Sequence, residues 1–168
     1  FSDLHNLFSL GQGKLSIAAM PSFAAGLLPG ILQQFKTEFP NIKLSVADVV
    51  MESVIKDVQA GRAEIGFSFE HKKMDGLEFH PILTDNFIAV LPANHPLSEH
   101  QVLSWSHIAL YPFVAMNKGS AIRQWIDSFM ELNHLSLNIV VEASQLATLG
   151  QFVKHDLGVS VVPALCQE

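Results

Sequence analysis

"GKLSIAAMPSFAAGLLPGILQQFKTEFPNIKLSV", residues 13 to 46, decides the fold because its apolar residues change period twice. Leu15, Ile17 and Ala19 alternate as in a β-strand; Leu28, Ile31, Leu32, Phe35 and Phe39 recur at helical spacing; Ile42, Leu44 and Val46 alternate again. Residues 15 to 35 carry no charge and are long enough to pass for a membrane span or a signal sequence. Pro21, Gly26, Pro29 and Gly30 break that reading, and the changing period replaces it with strand, loop and helix.

Downstream, Met51, Val54, Ile55 and Val58 form a helical face that stops at Gly61, and residues 62 to 69 give a third strand through Ile65, Phe67 and Phe69. This β-α-β-α-β series implies a parallel sheet with right-handed crossovers. Residues 77 to 83 read as extended, and 87 to 91 as a strand buried on both faces that ends at Pro92. A turn-rich stretch, "PANHPLSEHQVLSWSH" (92–107), marks where a second lobe could begin. Then come a short strand at 113–116, a helix face of Ile122, Trp125, Ile126 and Phe129, alternation at Leu137, Ile139 and Val141, a helix through Leu146, Leu149 and Val153, and a strand at 159–162. At the other end, Phe1, Leu4, Leu7 and Phe8 have helical spacing before the turn Gly11-Gln12-Gly13. The fold class is α/β, without an internal sequence repeat.

Composition narrows the function. With 168 residues, 49% of them apolar, the chain can bury a real core. Its 10 Lys and Arg are outnumbered by 16 Asp and Glu and are scattered apart from Lys72-Lys73, so there is no basic stripe to neutralise phosphates. The lone Cys166 permits no internal disulfide and reads as a small buried residue in a reducing compartment. Ser53-Val54-Ile55-Lys56 has Ser-x-x-Lys spacing, but it lies on an amphipathic helix and its companion motifs are missing. Neither a nucleophile elbow nor a Gly-rich phosphate loop occurs, and the eight histidines show no metal-ligand spacing. No catalytic residue, metal or cofactor is expected.

The segments and their spacing resemble the effector-binding domain of a LysR-type transcriptional regulator over residues 11 to 166. The resemblance is carried by the stretch quoted above, by "VQAGRAEIGF" (58–67), where the family usually has Gly-x-x-Asp and this chain has Glu64, by "FIAVLPANHPL" (87–97), and by "VVEASQLATLGQFVKHDLGVSVVP" (140–163). It implies a type 2 periplasmic-binding-protein fold, with two α/β lobes joined by two crossover strands and a small molecule bound in the cleft. Residues 1–12 would be the end of a linker helix and a turn. Residues 13–84 plus 158–168 would form lobe I, truncated at its C-terminus, and 85–157 lobe II, with crossovers near Thr84-Asp85 and Leu157-Gly158. The resemblance also implies a cytoplasmic homo-oligomer associating through its lobes. Such a regulator would contact DNA only through an N-terminal winged helix-turn-helix absent from this chain, and would have no membrane partner.

In such lobes ligands lie beyond the carboxyl ends of strands, where helix N-termini offer free N–H groups. Ser22, Ser68, Ser120 and Ser144 fall at such places. Serine also caps helices and fills turns for purely structural reasons, and the resemblance favours Ser22 and Ser120. Met20, Pro21, Phe69 and Gln145 are cleft-facing neighbours by the same counting. Where the family often carries a Ser or Thr after its second strand, this chain has Val50, which favours an effector with an apolar part facing Asp48-Val49-Val50. The effector class is thus a small organic acid or a mixed polar and apolar metabolite. Lys118 and Arg123 could supply positive charge near Ser120, although such residues are more often solvated surface charges. The alternative is an exported solute-binding protein of the same fold. An enzyme would need an acid-base pair, for which Asp48 and Glu142 are the acidic residues near strand ends.

Overall fold

The computed structural model describes residues 13–69 and 76–166. The segment at 1–12 and the pair Lys72-Lys73 lie outside the described residues. The quoted stretch forms strand β1 (Gly13–Ala19), helices α1 (Pro21–Ala25) and α2 (Leu28–Glu38), and strand β2 (Ile42–Asp48). Helix α3 (Met51–Gln59) and strand β3 (Ile65–Phe67) follow. The three strands are parallel in the order β2-β1-β3, with Ile17 opposite both Val46 and Ile65. Residues 20 to 27, read from sequence as a loop, contain the five-residue helix α1, because Pro21 presets a helical φ at its first position. Helix α2 ends ahead of Pro40, where Lys36 donates to the carbonyls of Pro40 and Ile42 at 2.5 and 2.9 Å. A cation suits the negative end of the helix.

β1 is the centre of this unit. Leu15, Ile17 and Ala19 point into a cluster with Phe23, Leu28 and Ile42, to which Leu32, Phe35 and Phe67 add. The Phe23 and Phe67 rings stack with centroids 4.4 Å apart. On the opposite face Ala18 pairs in register with Gly66, and a methyl group at Gly66 would come within 2.9 Å of the Val54 and Val58 side chains, so glycine there lets α3 close onto the sheet. Right-handed crossovers place α1 and α2 on one face and α3 on the other. Ile31, expected in the core, is 49% exposed.

The second unit holds β4 (Phe87–Val90), the single helical turn α4 (Trp105–Ile108), β5 (Pro112–Met116), α5 (Ala121–Leu132), β6 (Asn138–Ala143), α6 (Leu146–Lys154) and β7 (Ser160–Pro163). β5 and β6 pair in parallel. Val159 bridges in parallel to Phe113, accepting from Val114 N and donating to Pro112 O, both at 2.8 Å. β7 then runs antiparallel to β4, and the buried Ser160 hydroxyl donates to Val114 O at 2.7 Å. The chain order β5-α5-β6-α6-β7 therefore repeats the topology of the first unit, with its central strand again first in sequence. The core of α5 is Ile122, Ile126 and Met130, whereas Trp125, expected on that face, is 59% exposed.

The chain divides between Thr84 and Asp85, and again between Ala164 and Leu165. Residues 158 to 164, expected with the first lobe, belong to the second unit because their backbone is bonded to β5 and β4. Leu165 then joins the core cluster of the first unit. β4 is half-buried rather than buried on both faces, since among the described residues it pairs only with β7. Residues 77 to 83 form no strand and leave Ile82 and Leu83 exposed. β3 is shorter than read from sequence, and it pairs with only the last three residues of β1. Cys166 is half-buried in a 3-10 turn, less enclosed than expected. Among the described residues no helix is long and apolar enough to cross a membrane.

Candidate functional site

In an open parallel sheet with strand order 2-1-3, the helices on either side of the central strand leave on opposite faces, and a crevice opens at the carboxyl ends where the order reverses. In the first unit this reversal lies between β1 and β3. Met20 N donates to Phe67 O at 3.0 Å, which extends the pairing one step past β1 and sets Met20, Pro21 and Ser22 beside Ser68 and Phe69. On the other side Val49 N donates to Ala19 O at 3.0 Å, which brings Asp48, Val49 and Val50 to the same edge. Val50 caps α3 in extended conformation with no side-chain bond, and its side chain is 48% exposed.

Ser22 sits in the first turn of α1 and is only 5% exposed. Its hydroxyl makes no hydrogen bond among the described residues, and no fully enclosed side-chain oxygen there lacks a partner, so the hydroxyl reaches the surface. Ser68 differs. Its hydroxyl donates to Phe69 O at 2.9 Å and is occupied.

The second unit has the same construction. Asn117 N donates to Ala143 O at 2.9 Å, extending the pairing of β5 with β6 to its carboxyl edge. Asn117 Nδ2 donates to Ser144 Oγ at 3.2 Å. Ser120 is the N-cap of α5 and 7% exposed, and its hydroxyl, like that of Ser22, is unbonded among the described residues. The N-cap of α6 is Gln145 rather than Ser144, which lies one residue earlier. Asn117 was missed by sequence reasoning. An Asn after an apolar strand reads as a turn residue, and only its bond across to Ser144 singles it out.

Arg123 corrects the sequence reading. It is 5% exposed, not a solvated charge. Nε donates to both carboxylate oxygens of Asp127 at 2.8 and 2.9 Å, and Nη1 to Glu142 Oε1 at 2.7 Å and to Met116 O at 3.0 Å. Burial works against its charge, but the bonds to Glu142 and Asp127 outweigh this and raise its pKa above the ordinary arginine value. The guanidinium is therefore permanently charged, yet committed to the scaffold below Ser120. Glu142 is engaged by it and is no candidate acid or base. Among the described residues no group of three or more His, Cys, Asp and Glu could hold a metal.

Topologically, then, each unit sets one buried serine with a free hydroxyl at the first helix after its central strand. A hydroxyl placed in this way can hold a polar atom of a ligand without any bond being made or broken.

Comparison with known proteins gives the same reading. The family model described as LysR substrate binding domain matches residues 9–168. The transcriptional activator protein LysR of Escherichia coli is 26% identical over 164 residues, which are 98% of this chain and 53% of that protein. Among solved structures, HinK, a LysR family regulator from Pseudomonas aeruginosa, superposes with a TM-score of 0.83 at 20% identity, covering 97% of this chain and 57% of HinK. The CcmR regulatory domain of Synechocystis, solved in complex with 2-PG, gives 0.83 at 19% identity over 92% of this chain and 74% of that one. The chain spans about half the length of the curated relatives it matches. With nearly all of its length matched by the family model, the chain belongs to the LysR substrate binding domain family and has the type 2 periplasmic-binding-protein fold of that family.

Proposed function

We propose that this domain is the sensor of a cytoplasmic transcriptional regulator and binds a small-molecule effector, for which the carboxyl edge of each unit, taken by itself, offers candidate contacts. The observation that carries the reading is the pair Ser22 and Ser120, buried, unbonded and equivalent in topology. Ser144, Gln145, Pro21, Val50, Ser68 and Phe69 complete the two edges. The relative solved with 2-PG supports a small polar ligand in this fold. An effector with different affinity for alternative conformations of the domain would shift their equilibrium, and in the whole protein that shift would reposition DNA-binding domains. The exported solute-binding alternative is weaker, because the matched curated relatives are transcription regulators.

Once an effector is in hand, calorimetry on Ser22→Ala and Ser120→Ala tests the reading. Each substitution is expected to weaken binding about 5- to 30-fold, the loss of a hydrogen bond worth ~1–2 kcal/mol. Unchanged affinity in both variants would remove the site from these edges.

The homo-oligomer is a second part of the proposal. The apolar side chains Ile31 on α2 and Val46 on β2 are 49% and 41% exposed, and Trp125 and Leu132 on α5 and Val140 on β6 are 59%, 80% and 49% exposed. In each unit they lie on the long helix after the central strand and on the edge strand it leads to. Exposed apolar surface of this kind marks association faces. Trp125→Glu is expected to shift sedimentation toward monomer, and an unaltered sedimentation profile with Trp125→Glu and Val46→Glu combined would refute these faces.

A further inference from the structure

We propose that His100 and His107 form a surface site in the second unit for one divalent transition-metal ion, zinc by its geometry, with solvent completing the coordination. The site is independent of the effector reading. β5 begins at Pro112, just after His107 and α4, so the pair lies toward the amino end of that strand, whereas Asn117 and Ser120 follow its carboxyl end.

The sequence conceals this pair, because its spacing matches neither a shared helix turn nor a metal-binding motif. A bend in the chain brings the rings together instead. The 3-10 turn Pro96–Glu99 ends with His100 N donating to Leu97 O at 3.2 Å. The chain then enters α4, whose cap Ser104 accepts from His107 N through its hydroxyl at 3.3 Å. Both backbones are thus held in place, and the two imidazole rings lie with centroids 5.9 Å apart and planes 28° from parallel. Both residues are exposed, and their ring nitrogens are unbonded among the described residues. Other histidines differ. His80 is paired with Glu78, His95 Nδ1 accepts from Leu97 N, and His155 Nδ1 is bonded to Gln151 O.

A neutral imidazole binds zinc through either nitrogen. With zinc–nitrogen bonds of about 2.0–2.1 Å each ring centre stands roughly 3.2 Å from the ion, and a tetrahedral angle then sets two ring centres about 5.2 Å apart. Neighbouring positions of a square-planar or octahedral ion would bring them to roughly 4.5 Å. The observed 5.9 Å lies nearer the tetrahedral value, and rotation of two exposed rings about their soft terminal torsions covers the difference. Charge favours a cation as well. Residues 74 to 117 hold neither Lys nor Arg, and Glu99 directly precedes His100, so the segment that carries the pair sets no fixed positive charge against the ion. Among the described residues no third His, Cys, Asp or Glu joins the pair. Structural zinc takes four protein ligands, so this is an exchangeable site with open positions.

The test is calorimetric titration of the whole chain with zinc chloride in a non-chelating buffer at about pH 7.5, where imidazole is mostly neutral. One ion per chain is expected. Its Kd should rise roughly 10-fold or more in His100→Ala and in His107→Ala, each taken singly, and stay within about 2-fold in His134→Ala and His155→Ala. Both rings are exposed, so the two variants should melt within about 2 °C of the unaltered chain, which separates a lost site from a lost fold. Proton resonances of the two rings should shift together on adding zinc and return on acidification to about pH 5, as protons take the ring nitrogens. Zinc held equally well by both single variants, or no binding by calorimetry and ring resonances alike, would overturn the site. Half an ion per chain would overturn a site within one chain in favour of an ion that bridges two copies.

Discussion

Gly158→Ala is expected to cost the second unit about 3–5 kcal/mol, at the upper end of what single substitutions do. A β-carbon at Gly158 would strike the carbonyl oxygen of Pro112 and lie 2.8 Å from its carbon and 3.3 Å from Phe113 N. Those are backbone atoms, so no rotamer relieves the contact. The φ of +155° is itself one that other residues rarely adopt. Nor can the backbone give way cheaply, because Pro112 O is also the acceptor for Val159 N, and the same two chain segments carry the bond from Val114 N to Val159 O. Separating them by the required distance breaks the bridge that attaches β7 to β5.

Urea unfolding followed by circular dichroism would measure the loss, and a fall in melting temperature of roughly 15–25 °C is the thermal equivalent for a unit of this size. Gly150 is the control. It lies inside α6 with open space where a β-carbon would stand, and Gly150→Ala is expected to stabilise by about 0.5–1 kcal/mol. Equal stability of the Gly158→Ala and unaltered chains would mean that β7 is not seated against β5 as described.

Gly158 also shows what could be read from the sequence and what could not. The change of period in residues 13 to 46 announced strand, helix and strand, because burying one face of each element requires those periods. The places of Ser22 and Ser120 in the chain's elements were legible for the same reason: a small polar residue after an apolar run falls just past a strand's carboxyl end. Partner choice was not legible. Nothing in "VSVV" (159–162) says whether such a strand joins the sheet that precedes it or one further back. The contact of Gly158 with Pro112 and the bond from Ser160 to Val114 decide it, and both span more than forty residues. Arg123 failed differently. Its place in the first turn of a helix read as a solvated surface charge, and its burial goes with bonds to Glu142 and the Met116 carbonyl, which only the tertiary fold brings near.

That arginine makes the second large prediction. Arg123→Ala is expected to destabilise by ~2–4 kcal/mol, a sum of the Met116 carbonyl losing its charged donor and of the packing lost with the buried stem. The loss should stay near the low end of the range for broken buried pairs, because the Asp127 and Glu142 side chains are 49% and 43% exposed and can rehydrate. Arg123→Lys keeps the charge but offers one compact ammonium where four acceptor atoms on three residues are now served by a planar fork, so it should recover less than half of the loss. Arg123→Met keeps most of the stem and none of the donors, which separates packing from hydrogen bonding. If the Met variant matches the unaltered chain within about 0.5 kcal/mol, the network contributes nothing to stability, as replacement of some buried ion pairs has shown. Hydrogen exchange then distinguishes stability from organisation. Arg123 joins the last residue of β5, β6 and the first turn of α5, so both the Lys and Met variants should exchange faster at residues 117 to 124 than at β7, whatever the global cost. Faster exchange there would identify Arg123 as the residue that holds Ser120 in place for the effector, and uniform exchange would make it only one more piece of the core.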